Sequence, residues 1–281
     1  MVFIARQHRF EFPGPAVVMG ILNLTPDSFF DGGMWTSREA AVDRAIKMAV
    51  DGAGIIDVGG ESTRPGAVPV AEIEELRRVI PVIEELAGRL RVPISIDTMK
   101  PAVARAALQA GASIVNDVAA NRGDTEMWEL VAREQVGYVC MHMRGSPATM
   151  QNDPAYRDVP AEVEEFFTDR LKHLNRCGVG SDQVILDPGI GFGKTPEHNV
   201  SLLASVGRFA ALGRPVMVGV SRKSFLGKLT GADSASRLPA GLACGCLAVG
   251  SGARFIRTHD VAETVQAIRM TEVILAGGRK W

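Results

Sequence analysis

Eight short apolar runs, each followed by a stretch with helical periodicity, constrain this chain more than any other feature in it. The runs lie at 17–22, 54–58, 93–96, 113–115, 137–141, 183–186, 215–220 and 254–256. They are rich in β-branched residues and largely continuous, as in strands covered on both faces. Strand followed by helix, repeated, implies parallel strands joined by right-handed crossovers. Eight such units without a linker or low-complexity tract predict an α/β chain. The expected architecture is a single (β/α)8 TIM barrel over residues 1–281, with a short N-terminal β-hairpin at residues 3–12 acting as a lid. An open, doubly wound sheet is the alternative.

Local signals place the helices. Thr36 and Glu39 have capping-box spacing and open a helix that runs to about Val50. Residues 71–90 form a second helix, with Ile73, Leu76, Ile80, Ile83 and Leu90 near one face. Pro81 inside it predicts a kink. Pro101 suits the first turn of the next helix.

Composition removes several classes of function. Of 281 residues, 46% are hydrophobic and 22% charged, which is ordinary for a soluble globular protein. A net charge of -1 offers nothing to nucleic acid or an anionic membrane. No apolar run reaches the length of a membrane span. The first residues lack the pattern of a signal peptide, so a cytoplasmic protein is expected. Cys140, Cys177, Cys244 and Cys246 have no zinc or redox spacing and read as buried, reduced thiols.

In a barrel, ligands bind at the carboxyl ends of the strands. Those ends carry Asn23, Asp57, Asp97, Asn116 with Asp117, His142, Asp187, Lys223, and Arg257 with His259. Asp57 alone could cap a loop or pair with a nearby cation. Together, carboxylates and amides suit a flat heterocycle with alternating donors and acceptors. Arg64, Arg257 and His259 suit an anion, and phosphate is commonly held near the last two strands. Two glycine-bearing loops, 25–33 and 62–66, have the make-up of lids that order on ligand binding. His142 reads as orienting the site or packing beneath it, and Met141 with Met143 as packing.

Other signals fail. The segment 189–195, Gly-Ile-Gly-Phe-Gly-Lys-Thr, has Pro188 where a nucleotide phosphate loop needs glycine. It reads instead as a tight turn that lets backbone approach a ligand. No nucleophile elbow or His-Glu-x-x-His motif is present.

The assembled motifs resemble the dihydropteroate synthase family of folate biosynthesis, from Val17 to the last helix. They are residues 20–33, 57–66, Asp97-Thr98 with Lys100-Pro101, Asn116-Asp117, Met141-His142-Met143, Asp187-Pro188-Gly189 with 191–194, 221–224, and Arg257 with His259-Asp260. The resemblance implies a transferase that condenses 6-hydroxymethyl-7,8-dihydropterin diphosphate with 4-aminobenzoate by a dissociative substitution. The products are 7,8-dihydropteroate and diphosphate, and this is the enzyme class that sulfonamides target. It implies a pterin held by Asp97, Asn116, Asp187 and Lys223. It implies diphosphate facing Asn23, Arg257 and His259, with Mg2+ near Asn23 and the first loop. Thr63, Arg64, Pro65, Phe192 and Ser224 are implied in the aminobenzoate pocket or lids. Asp97, Lys223, Arg257 and His259 are the implied catalytic set, and a homodimer is expected. Thr258 and Met99 depart from commoner family residues without removing a reactive side chain. A pterin-dependent methyltransferase and a non-catalytic pterin-binding paralogue are the alternatives.

Overall fold

The computed structural model describes residues 1–25, 38–64, 66–120 and 124–278. Two antiparallel strands, β1 (Val2–Ala5) and β2 (His8–Glu11), form a hairpin. Eight parallel strands follow: β3 (Val17–Asn23), β4 (Ile55–Gly59), β5 (Ile94–Asp97), β6 (Ile114–Asp117), β7 (Gly137–Met141), β8 (Val184–Asp187), β9 (Met217–Gly219) and β10 (Phe255–Thr258). The sheet order is β8-β7-β6-β5-β4-β3-β10-β9, and a parallel bridge from Leu186 to Val216 joins its two edges. The strands therefore curl into a nearly closed barrel, as the alternation requires. Every residue of β4, β5, β6, β7 and β8 is buried, because helices cover the outside and side chains fill the inside.

The helices are α1 (Arg38–Val50), α2 (Glu72–Arg89), α3 (Pro101–Gln109), α4 (Glu126–Glu134), α5 (Val159–Arg176), α6 (Pro196–Ala204), α7 (Val206–Ala210), α8 (Ser224–Thr230), α9 (Leu238–Gly250) and α10 (Val261–Leu275). Thr36, the expected cap of α1, lies outside the described residues. The expected face of α2 holds except at its first residue: Ile83 is buried, and Leu76, Ile80 and Leu90 pack partly buried against the core. Val79, Val82, Ile83 and Leu86 are buried, whereas Ile73 is 76% exposed. Glu75 shares the buried side of the helix, where Thr98 and Lys100 donate to it. Pro81 is accommodated within one continuous helix.

The hairpin closes the amino-terminal end of the barrel. Phe3 packs edge-on to Phe255 with centroids 5.5 Å apart, and Phe12 does so at 5.7 Å. These rings cap Met19, Ile55, Ile114, Val139, Ile185 and Met217. Gly137 is required here, since a Cβ would come within 2.5 Å of the Phe3 ring. With this end plugged, ligand access is left to the carboxyl ends of the strands.

Among the described residues no helix is long and apolar enough to cross a membrane. All four cysteines are free thiols, but only Cys140 is buried. Cys177, Cys244 and Cys246 are partly exposed, since they sit on helices and helix ends rather than in strands.

Candidate active site

Strand register brings the polar termini into one layer. Asn23 pairs with Gly59, Gly59 with Asp97, and Asp97 with Asn116. Gly59 leaves the layer open: a Cβ there would stand 3.4 Å from the Asp97 Cβ and 3.7 Å from Asn23 Oδ1. On the other side of β3, Arg257 of β10 pairs with Met19 and Gly219.

Arg257 reaches across this layer. Its Nε donates to Asp57 Oδ2 at 2.7 Å and its Nη2 to Asp97 Oδ2 at 2.7 Å. Asn116 Nδ2 also donates to Asp57 Oδ2, at 2.9 Å. Burial pushes the Asp97 carboxyl up to about 7, against the pull of Arg257 and with the help of Asp57, Glu75 and Asp117. Burial opposes the Arg257 charge, but the two carboxylates outweigh it and hold the guanidinium above its usual range. Asp57 Oδ1 and Asp97 Oδ1 are buried without a hydrogen-bond partner among the described residues. Two orphaned carboxylate oxygens in a barrel mouth can accept from N–H groups of a ligand.

A second group gathers around the β8 turn. Asp187 Oδ1 accepts from the Gly189 N–H at 2.7 Å. Lys223 Nζ donates to the Ile190 carbonyl and sits 4.6 Å over the Phe192 ring. Burial brings Lys223 down to about 8, opposed by Asp187 and reinforced by Arg257. Burial also raises Asp187, against Lys223, the Gly189 N–H, Arg257 and Lys194. The expected tight turn is real. Gly189 has φ +66°, and a Cβ there would stand 1.9 Å from the His142 carbonyl oxygen. Met141 and Met143 pack with Val118, Met150, Met99 and Phe192 into a small apolar cluster beside it.

A third group links the last two strands to the first. His259 Nδ1 lies 3.0 Å from Ser221 Oγ, and its Nε2 lies 3.5 Å from Asn23 Nδ2. Burial, then Arg257 and Arg222, bring His259 down to about 3, so it is neutral near pH 7 in this state. With Asn23 Nδ2 donating to Nε2, the neutral ring carries its proton on Nδ1, toward Ser221 Oγ, so contact with an anion requires Nε2 to leave Asn23 and take up a proton. Arg222 holds a left-handed backbone, φ +58°, immediately before Lys223. Its guanidinium grips Asp260 with two bonds, and its carbonyl accepts from Arg237 Nη1 at 3.1 Å.

The structure thus gathers Asn23, Asp97, Asn116, Asp187, Phe192, Lys223, Arg257 and His259 at the carboxyl ends of the strands. Thr63 is half-buried and Arg64 exposed on the loop after β4, which is tied by Lys100 to Glu61, by Arg78 to the Gly60 carbonyl and by the Gly66 N–H to the Pro147 carbonyl at 3.3 Å. Ser224 is exposed at the start of α8. Pro65 and residues 26–33 of the first loop lie outside the described residues. Of the two readings open for Asp57, a loop cap or a partner for a nearby cation, the structure selects the second, and the cation is Arg257. Sequence reasoning gave Lys194 no role of its own, although the residue lies within the rejected glycine-rich segment and within the 191–194 motif. Among the described residues no cluster of three His, Cys, Asp or Glu side chains forms a metal site.

Residues 19–259 match the model of a family described as pterin binding enzyme. The chain is 49% identical over 261 residues to the dihydropteroate synthase of Escherichia coli K12, covering 92% of each chain. The Yersinia pestis dihydropteroate synthase, solved with a sulfonamide drug complex, superposes with a TM-score of 0.92 at 40% identity, covering 98% of this chain and 100% of that one. The Xanthomonas albilineans dihydropteroate synthase, solved in complex with 7,8-dihydropteroate, gives a TM-score of 0.88 at 41% identity, covering 98% of this chain and 99% of that one.

Proposed function

The chain belongs to the pterin binding enzyme family, and we propose that it works there as a dihydropteroate synthase. The reading takes residues 1–281 as one pterin-binding barrel domain. It condenses 6-hydroxymethyl-7,8-dihydropterin diphosphate with 4-aminobenzoate, releasing 7,8-dihydropteroate and diphosphate. The observation that carries it is one cluster of charges at the strand ends: Arg257 bonded to Asp57 and Asp97, with Asp187 and Lys223 near enough to act on each other and on Arg257.

A pterin presents an amino group and ring N–H groups along one edge, with a carbonyl and ring nitrogens beside them. Asp187 accepts from that amino and N–H edge, and Lys223 donates to the ring oxygen and nitrogen. Asn116, positioned by Asp57, supplies a further amide. The bond from the pterin methylene to the diphosphate oxygen breaks, leaving positive charge delocalised into the ring. Asp97 offsets that charge. Its present bond to Arg257 must loosen as the guanidinium turns to the departing diphosphate, beside Asn23 and His259. The aryl amine of 4-aminobenzoate then attacks the methylene and loses a proton. Phe192 over Lys223 forms one wall of its pocket, with Thr63, Arg64, Pro65 and Ser224 as lid residues. Water is kept from the cation by closure of these loops.

A divalent cation fits the donor set modestly. Asn23 places an amide at the diphosphate end, and the described residues offer no carboxylate cage. Mg2+ held by one side chain, substrate oxygens and water is its usual arrangement at phosphates. When bound, it would neutralise charge on the leaving group. A homodimer is supported by exposed Leu247 on α9 and Met270, Ile274 and Leu275 on α10, two helices packed side by side. The absence of a spanning helix among the described residues is consistent with a cytoplasmic enzyme.

Incubation with both substrates and Mg2+ tests the assignment. Diphosphate release that depends on 4-aminobenzoate is expected, and a pterin that binds without release would overturn it. Asp187→Ala and Lys223→Ala are expected to abolish pterin binding without unfolding the chain, each removing a buried charged contact worth about 2–5 kcal/mol. Unchanged calorimetric affinity in both would defeat the pterin assignment.

A further inference from the structure

Lys194 is a buried cation that the reaction above does not use. Its residue is 3% exposed. All three acceptors described for its Nζ are neutral: His142 Nδ1 at 3.0 Å, the His142 carbonyl at 3.3 Å and the Phe192 carbonyl at 2.9 Å. Those three bonds use the whole donor capacity of an ammonium. Because Nδ1 accepts, the ring proton of His142 sits on Nε2. Burial, then Lys194 and Arg144, bring His142 down to about 2, so it stays neutral and able to accept. Its ring is held edge-on by Phe166, with centroids 4.9 Å apart.

An apolar side chain of similar length would fill this space at lower cost, since desolvating a charge opposes folding. The geometry indicates what the charge accomplishes. Nζ lies 3.4 Å from the point where a Gly189 Cβ would stand, and the Gly189 N–H is the donor to Asp187 Oδ1. The His142 N–H donates to the Asp187 carbonyl at 2.9 Å. Lys194 therefore bolts together the two backbone segments that hold Asp187. It also grips the carbonyl of Phe192, whose ring lies under Lys223.

Resting on the pterin reading, we propose that Lys194 is a positioning residue for Asp187, fixing the 189–193 turn and supplying positive charge behind the carboxylate that accepts from the pterin. The charged groups facing Asp187 are Lys223 and Arg257 from the barrel interior and Lys194 from its own turn. Cys140 faces it from β7 and stays a thiol, because burial raises it. Lysine charge favours the ionised carboxylate. Burial lowers Lys194 itself, so its charge, and its effect, are greatest at acid pH. Removing it therefore moves the acid limit of pterin binding upward.

The test is calorimetric titration with 6-hydroxymethyl-7,8-dihydropterin from about pH 5 to about pH 9, on wild type, Lys194→Met, Lys194→Arg and Asp187→Ala. Lys194→Met is expected to bind roughly tenfold more weakly at the acid end and within about twofold of wild type at the alkaline end. Lys194→Arg restores most of the acid-side affinity. A loss of equal size at every pH, or no loss at acid pH, overturns the proposal. Should Lys194→Met fail to fold, Lys194→Gln keeps a donor without the charge, and it too must show the displaced acid limit. If Asp187→Ala binds like wild type, the pterin reading itself falls, whatever the Lys194 variants do.

Discussion

Arg257 serves two carboxylates whose sequence positions lie 200 and 160 residues away. In this state the guanidinium is committed to Asp57 and Asp97, so binding diphosphate must compete with them. Arg257→Ala is expected to weaken the pterin diphosphate at least tenfold more than the bare pterin alcohol, as read by calorimetry. Equal losses for the two ligands would remove Arg257 from the diphosphate site. Asp97 carries a pH consequence. Its carboxyl is raised from 3.8 to about 7 on folding, so the folded chain binds the extra proton in that window. Its contribution to stability is full below the unfolded value and is lost as pH rises through about 7. Asp97→Asn removes this slope. Urea unfolding should show the variant gaining on wild type between about pH 4 and about pH 7, and a constant difference across that window would refute the raised carboxyl.

At the level of elements, the turn between β9 and α8 is held against its own preference. Arg222 is left-handed, which costs a residue with a Cβ roughly 1–2 kcal/mol. The grip on Asp260 ties that turn to the start of α10, and so ties Lys223 to His259. Arg222→Ala loses the grip and keeps the strain, whereas Arg222→Gly loses the grip and relieves it. The glycine variant should be the more stable of the two by about 1 kcal/mol in urea unfolding, and equal stabilities would show the strain to be absorbed elsewhere. The hairpin is a separate case. Phe3 is fully buried against Phe255, and Phe3→Ala should cost about 3–5 kcal/mol while leaving pterin affinity unchanged. A matching loss of affinity would mean that the plug shapes the opposite mouth.

At the scale of the molecule, the outer layer exposes Leu247 on α9 and Met270, Ile274 and Leu275 on α10, two helices that pack together. Leu247→Asp with Ile274→Asp should shift a homodimer to monomer in sedimentation, and a wild type that sediments as a monomer would discard that interface. The alternation of apolar runs and helical segments was enough to specify parallel strands in a barrel, because period and length are local properties of the chain. The polar residue at the end of each run was equally legible, since strand ends are where the apolar pattern stops. The burial of Glu75 on α2 was not legible, because it answers to Thr98 and Lys100 on a neighbouring unit. Nor were the partners of Asp57 and Lys194. Closing the cylinder puts Asp57 beside Arg257 and sets the β8 turn on the residues after β7, and contacts made by register across separate strands leave no periodic trace in sequence. Which charges exist at the mouth follows from residue identity; which of them share a proton or a guanidinium follows from distance, and distance exists only once the strands have paired.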